Sequence, residues 1–316
     1  MTTIAAVSER PSSYPPVGWS LDSIVGQLRE VRSRNSREHA AERGVHELPS
    51  PDAIARIVEN LKASLFPVHF GLPELTDQSV DYYVGHTLDG TLRALTEQIR
   101  RCLAAPGIRE EGLSSLDASE VTRQFASALP EILSLLESDV RAAYAGDPAA
   151  KSLDEVMLCF PGIAALTYYR IAHTLNQLEV PLLSRIISEY SHSTTGIDIH
   201  PGAKIGASCF IDHGTGVVIG ETAVIGERVR IYQGVTLGAK SFPVDENGVV
   251  IKGAPRHPII EDDVVIYAGA TILGRITIGK GSSIGGNVWL TRGVPPHSRI
   301  AQAQVRSELF DGGAGI

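Results

Sequence analysis

Along the C-terminal part of the chain the branched aliphatic residues fall on a six-residue step. Ile260, Ile266, Ile272, Ile278, Ile284 and Leu290 mark it, and four residues after each stands a small or branched residue: Val264, Ala270, Ile276, Ser282, Val288 and Val294. A strand alternates with period two and a helix with 3.6, so a period of six belongs to neither alone and marks a repeat. Each hexad supplies a short strand and a turn, three hexads close a triangular coil, and stacked coils bury an aliphatic interior that no single repeat could form. The pattern therefore predicts a hexapeptide β-helix. Gly206, Gly220, Gly226, Gly238, Gly279 and Gly285 each follow an aliphatic corner residue, and the expectation is a turn with positive φ at each.

The same step runs through Ile199, Ile205, Ile211 and Val217, slips by two residues, and resumes at Ile219, Ile225, Ile231 and Leu237. The slip falls beside Asp212-His213-Gly214-Thr215-Gly216, a polar cluster where the coil path adjusts. A second interruption, Ala239 to Pro255, contains Lys240, Asp245, Glu246, Asn247 and Gly248. It reads as a loop thrown out of one corner, returning to the prism at Arg256-His257-Pro258.

Upstream the period changes. Leu21, Ile24, Val25, Leu28 and Val31, then Ile54, Ile57, Leu61 and Leu65, then Leu88, Leu92, Leu95 and Ile99 recur at helical spacing, and further helices are predicted over 118–144, 163–177 and 181–191. Their apolar faces must bury against each other or against another subunit. The fold class is therefore α+β, with an N-terminal all-α domain (19–192) followed by a parallel β-helix (193–300) that carries the loop 239–255. Residues 1–18 are expected to be disordered, and 301–316 form a C-terminal tail.

Composition narrows the function. A formal net charge of −8 over 316 residues argues against a nucleic-acid surface. No apolar run is long enough for a membrane span and no signal-peptide core opens the chain, so a cytoplasmic location is expected. Cys102, Cys159 and Cys209 make no bridge framework and no metal spacing, which suits a reducing compartment. Small-molecule chemistry remains.

Four constellations are candidates. Asp198 and His213 are fifteen residues apart, a little under one 18-residue coil, so both can return to the same edge. A carboxylate there would orient an imidazole acting as base on a hydroxyl, whereas a histidine in a turn can equally be a hydrogen-bonded corner. Arg256 offers a planar fork for a carboxylate, or is a solvated loop residue. Asp147 precedes Pro148 and reads equally as a turn or cap residue. The tail, ending Asp311-Gly-Gly-Ala-Gly-Ile316, is either disordered or a minimal ligand: one apolar side chain and a terminal carboxylate. Cys209 sits at an inward hexad position, where a thiol packs rather than reacts. A zinc carbonic anhydrase built on such a solenoid would draw on histidines such as His192, His200, His213, His257 and His297, but none of these form a close-spaced ligand pair.

Taken together, Gly196-Ile-Asp-Ile-His-Pro, Asp212-His-Gly-Thr-Gly, Ile219-Gly-Glu-Thr-Ala-Val and Arg256-His-Pro, with Asp147-Pro-Ala and the run Phe160 to His173, resemble serine O-acetyltransferase. The resemblance implies a left-handed β-helix and transfer of acetyl from acetyl-CoA directly to the hydroxyl of L-serine, giving O-acetylserine for cysteine biosynthesis. It implies His213 as general base and Asp198 as its orienting partner, with Asp147, Asp212, Arg256 and His257 around serine. Gly238, Ala239, Ala268 and Gly269 are expected along acetyl-CoA, and no metal is implied. It further implies active sites between neighbouring prisms of a homotrimer, trimers paired through the helical domains, cysteine as feedback inhibitor in the serine pocket, and Ile316 as the residue that enters an O-acetylserine sulfhydrylase. The alternatives are a hexapeptide acetyltransferase with another amino-acid or sugar acceptor, a γ-type zinc carbonic anhydrase, and a regulatory module whose tail controls a partner enzyme.

Overall fold

The computed structural model describes residues 19–39, 47–104, 117–242, 245–246 and 248–302; the N-terminal segment expected to be disordered and the tail with Ile316 lie outside the described residues. The chain divides into two compact units, residues up to His46 and residues from Glu47 onward. In the first, α1 (Leu21–His39) is a helix whose Leu21, Ile24, Val25, Leu28 and Val31 are exposed in the single chain.

The second unit begins with α2 (Pro51–Leu65), α3 (Pro67–Phe70), α4 (Val80–Ala104), α5 (Ala118–Gly146), α6 (Leu153–Cys159), α7 (Pro161–Gln177) and α8 (Pro181–Thr195). Their starts follow from local chemistry. Ser50 accepts from Ala53 N at α2, Asp117 from Ser119 N at α5 and Ser152 from Glu155 N at α6, while α2, α3, α7 and α8 carry proline at their first positions. The short α3 and α6 were not legible as periodic segments. α8 ends on Gly196 at φ 71, a left-handed residue that turns the chain into the first strand.

Three parallel sheets follow. Sheet I takes β1 (Asp198–Ile199), β4 (Val218–Ile219), β7 (Thr236–Gly238), β10 (Thr271–Leu273) and β13 (Trp289–Leu290). Sheet II takes β2 (Lys204–Ile205), β5 (Val224–Ile225), β8 (Ile259–Ile260) and β11 (Thr277–Ile278), and sheet III takes β3 (Phe210–Ile211), β6 (Arg230–Ile231), β9 (Val265–Ile266), β12 (Ser283–Ile284) and β14 (Arg299–Ile300). The chain visits I, II and III in rotation, so each hexad adds one rung to one sheet. The aliphatic positions read from the period form the pairing register: Ile199 stands opposite Ile219, Ile225 opposite Ile260, and Ile231 opposite Ile266. These side chains are buried, and they share one continuous core with Ile171, Leu175, Leu183 and Ile187 of α7 and α8.

The glycine expectation is corrected. None of Gly206, Gly220, Gly226, Gly238, Gly279 and Gly285 has positive φ. Close approach between coils demands them instead: a Cβ on Gly206 would lie 2.7 Å from the Gly226 carbonyl oxygen, and one on Gly279 would lie 2.3 Å from Pro296 N. Left-handed residues occupy other corner positions, namely Ser208, Arg228, Asp263, Gly281 and His297 between sheets II and III, and Gly216, Gly234, Gly269 and Asn287 between III and I. The interruption leaves at the I–II edge between β7 and β8, and its Phe242, Val249, Val250 and Ile251 are exposed.

One buried ion pair ties the helical layer to the first coil. Arg170 of α7 donates through Nε and Nη2 to both oxygens of Asp139 on α5 at 2.7 and 2.9 Å, and through Nη2 to the Gly206 carbonyl at 3.0 Å. Asp139 also accepts from the Cys209 amide at 2.9 Å.

Candidate active site

The two-residue slip makes the turn 212–217 between β3 and β4, at the III–I edge. His213 occupies it at φ 56, with Gly214 and Gly216 also at positive φ, and its side chain is 68% exposed. Asp198 opens β1, directly opposite Val218, the residue that follows this turn. Gly216 N donates to the Gly196 carbonyl, fastening the turn to the start of the first coil. Asp198 and His213 therefore share one edge on adjacent coils, about 5 Å apart along the prism. No hydrogen bond joins their side chains; the carboxylate nearest the ring is Asp212, whose Oδ1 lies 3.6 Å from His213 Nδ1. The exposed ring at this left-handed corner contacts its sequence neighbour rather than the residue one coil away.

Asp147 caps the C-terminus of α5, and its Oδ1 accepts from Ala149 N at 2.8 Å, so the turn reading of this residue holds. The corner it occupies lies against sheet III, since a Cβ on the adjacent Gly146 would fall within 3 Å of Arg230 and of the Phe210 ring. Ala268 and Gly269 lie in the turn between β9 and β10, on the III–I edge two coils from His213, whereas Gly238 and Ala239 lie at the I–II edge.

The I–II edge holds Arg256 and His257. Arg256 Nη2 donates to Glu221 Oε2 at 2.6 Å, and Nη1 to the Ala254 carbonyl at 3.3 Å. The His257 ring fills the space above Gly220, where an added Cβ would lie 2.1 Å from its Cδ2. Thr222 N and Oγ1 both contact its Nδ1, at 3.0 and 2.9 Å, and Arg275 Nη1 donates to the Thr222 and His257 carbonyls. Glu221, Thr222 and Arg275 were given no part in the sequence reading, although Glu221 and Thr222 belong to one of its motifs. Sheet I separates this edge from the one carrying His213. The base candidate and the carboxylate-binding candidates thus stand on different edges of one prism.

Burial, with the Arg256 guanidinium alongside, holds the His257 imidazole down to about 4, and burial lowers His200 and His173 as well. An unfolded histidine binds its proton near 6.5, so between about 6.5 and 4 the unfolded chain carries more protons than the folded one. Stability from these rings is complete above that window and is lost as pH falls through it. Calorimetry should show a lower melting temperature at pH 5 than at pH 7.5, with a smaller difference in His257→Gln.

Burial pushes the Cys209 thiol up to about 12 and Cys102 up to about 11, which suits packing rather than nucleophilic attack. Among the described residues no three His, Cys, Asp or Glu side chains come together as a metal site, and no helix is long and apolar enough to cross a membrane.

The family description "bacterial transferase hexapeptide (six repeats)" matches residues 257–292. A plasmid-encoded serine acetyltransferase of Synechococcus elongatus is 59% identical over 304 residues, covering 94% of this chain and 95% of the relative. A serine acetyltransferase of Mycobacterium tuberculosis is 49% identical over 169 residues, 54% of this chain and 70% of the relative. Among solved structures, serine acetyltransferase isoform 3 of Entamoeba histolytica in complex with cysteine superposes with a TM-score of 0.69 at 33% identity, covering 92% of this chain and 96% of that one.

Proposed function

The chain belongs to the hexapeptide-repeat serine acetyltransferases, on a left-handed β-helix, and transfers acetyl from acetyl-CoA to L-serine to give O-acetylserine; from that premise we propose how its residues divide the work. His213 takes the proton of the serine hydroxyl as its oxygen attacks the thioester carbonyl carbon. Collapse of the tetrahedral intermediate breaks the C–S bond, and the imidazolium returns the proton to the departing CoA sulfur. Asp198 and Asp212 stabilise the cation that forms on the ring. Asp212 and Asp147 face the substrate ammonium, Arg256 and His257 its carboxylate, and Ala268, Gly269, Gly238 and Ala239 leave room for acetyl-CoA.

The observation that carries this reading is the exposed His213 corner with one carboxylate beside it and another in the neighbouring coil of the same edge. Because Arg256 and His257 occupy the next edge, the full set closes around one serine only where the I–II edge of one copy meets the III–I edge of another. A homotrimer of prisms supplies three such clefts, and the helical layers join trimers in pairs. Cysteine carries the same ammonium and carboxylate as serine, so it competes for the pocket as a feedback inhibitor; the Entamoeba relative was solved with cysteine bound. The Gly315-Ile316 end is a ligand for an O-acetylserine sulfhydrylase. The unpaired Cys102, Cys159 and Cys209 fit a reducing, cytoplasmic setting.

The test is an acceptor panel. Purified protein should release CoA from acetyl-CoA with L-serine far faster than with L-homoserine or a hexose, and added cysteine should raise the apparent KM for serine. A better rate with homoserine or the sugar would overturn the assignment of the pocket.

A further inference from the structure

A backbone amide can only donate, so the 3.0 Å contact from Thr222 N makes His257 Nδ1 an acceptor and places the ring proton on Nε2. The Thr222 hydroxyl completes the arrangement. Its oxygen accepts from Arg256 N at 2.9 Å and from His257 N at 3.1 Å, which leaves its own proton for Nδ1 at 2.9 Å. The Thr222 backbone N–H therefore selects the tautomer, while the Thr222 hydroxyl anchors the ring and pins the loop return to the second coil. His257 is only 6% exposed, yet its Nε2 reaches solvent and makes no hydrogen bond among the described residues. An N–H that opens to solvent from an otherwise buried ring is a position where a ligand atom can replace water.

Resting on the activity proposed above, we infer that Thr222 is a positioning residue for the acceptor: it holds His257 as the neutral Nε2–H tautomer, a donor to the acceptor's carboxylate beside Arg256. The carboxylate is the natural recipient because Arg256 adjoins in sequence and brings the local positive charge. Glu221 engages only Nη2 of that guanidinium and the Ala254 carbonyl only Nη1, so its Nε–H is free for a second bond to the same anion. The charged and titratable groups around the ring are Arg256, Arg275, His200 and Glu221. Burial, and after it two guanidinium groups against one carboxylate, keeps the imidazole uncharged, so it binds as a dipole and not as an ion.

Full-length Thr222→Val and Thr222→Ser proteins test this. Valine keeps the backbone N–H but removes the hydroxyl that anchors the ring and the loop return, and should raise the KM for L-serine roughly tenfold as the ring loses its aim at the carboxylate, with the KM for acetyl-CoA within about twofold of wild type. Serine at 222 keeps the hydroxyl and should stay within about threefold of wild type in both constants. In a His257→Ala background the valine substitution should cost less than about threefold, because its effect passes through the ring. An unchanged serine KM in Thr222→Val would overturn the inference, as would a fall in kcat alone, which would aim the donor at the reacting carbonyl. Equal shifts in both KM values together with a lowered melting temperature, in the valine and serine variants alike, would reduce Thr222 to a structural tie. A wild-type protein that released no CoA with serine would instead remove the activity reading on which the inference rests.

Discussion

His213→Ala is expected to lower kcat by about 10² or more, the loss typical of a general base, while the melting temperature holds or rises. The ring is exposed and makes no hydrogen bond among the described residues, so its removal costs the fold little. The loss should not be confined to the chain that bears it. If the pocket is shared between copies, a trimer mixed from His213→Ala and His257→Ala chains contains clefts in which both substitutions fall together and others that are fully wild type. Co-expression of the two inactive variants should then restore a measurable part of the serine-dependent CoA release. Mixed trimers as inactive as their parents would place the whole site within one chain.

Asp139→Ala is expected to be the most damaging substitution outside that site. It strands the Arg170 guanidinium, 3% exposed, and removes the acceptor of the Cys209 amide. Breaking a buried pair from one side costs about 3–5 kcal/mol, because a charge remains unpaired in a low-dielectric interior. The melting temperature should fall by on the order of 10 °C in a calorimetric scan. An exposed pair such as Arg93–Asp89 gives a contrast, since cutting it should leave the melting temperature almost unchanged. Replacing both Asp139 and Arg170 by apolar residues of similar volume should recover most of the loss, which separates the desolvated charge from simple underpacking. Failure of that double variant to recover would assign the cost to the three backbone groups that Asp139 and Arg170 also hold, Cys209 N and the Ile205 and Gly206 carbonyls.

What could be read beforehand follows from where each interaction finds its partner. Ile260, Ile266 and Ile272 face inward because every rung repeats the one below it, so a period visible over a few dozen residues already encodes the pairing register. The edge shared by Asp198 and His213 was legible for the same reason, since it needed only the coil length. Contacts that cross the repeat were not. Thr222 and His257 meet across thirty-five residues that include the irregular loop, so no spacing rule aligned them. Asp139 and Arg170 look like ordinary polar positions on two helices, and only the packing of α5 and α7 against β3 shows that their charges are sealed together. The 3.6 Å approach of Asp212 to the His213 ring was not legible, because it depends on the local backbone at a left-handed corner.

That same backbone has a consequence for any effort to harden the molecule. An L-residue with a side chain held at φ 56 carries about 1–2 kcal/mol of strain that glycine would not. Selection for heat resistance alone would favour glycine at position 213 and, with His213 as the proposed base, would remove it while improving the scaffold, so durability and turnover would pull this corner in opposite directions.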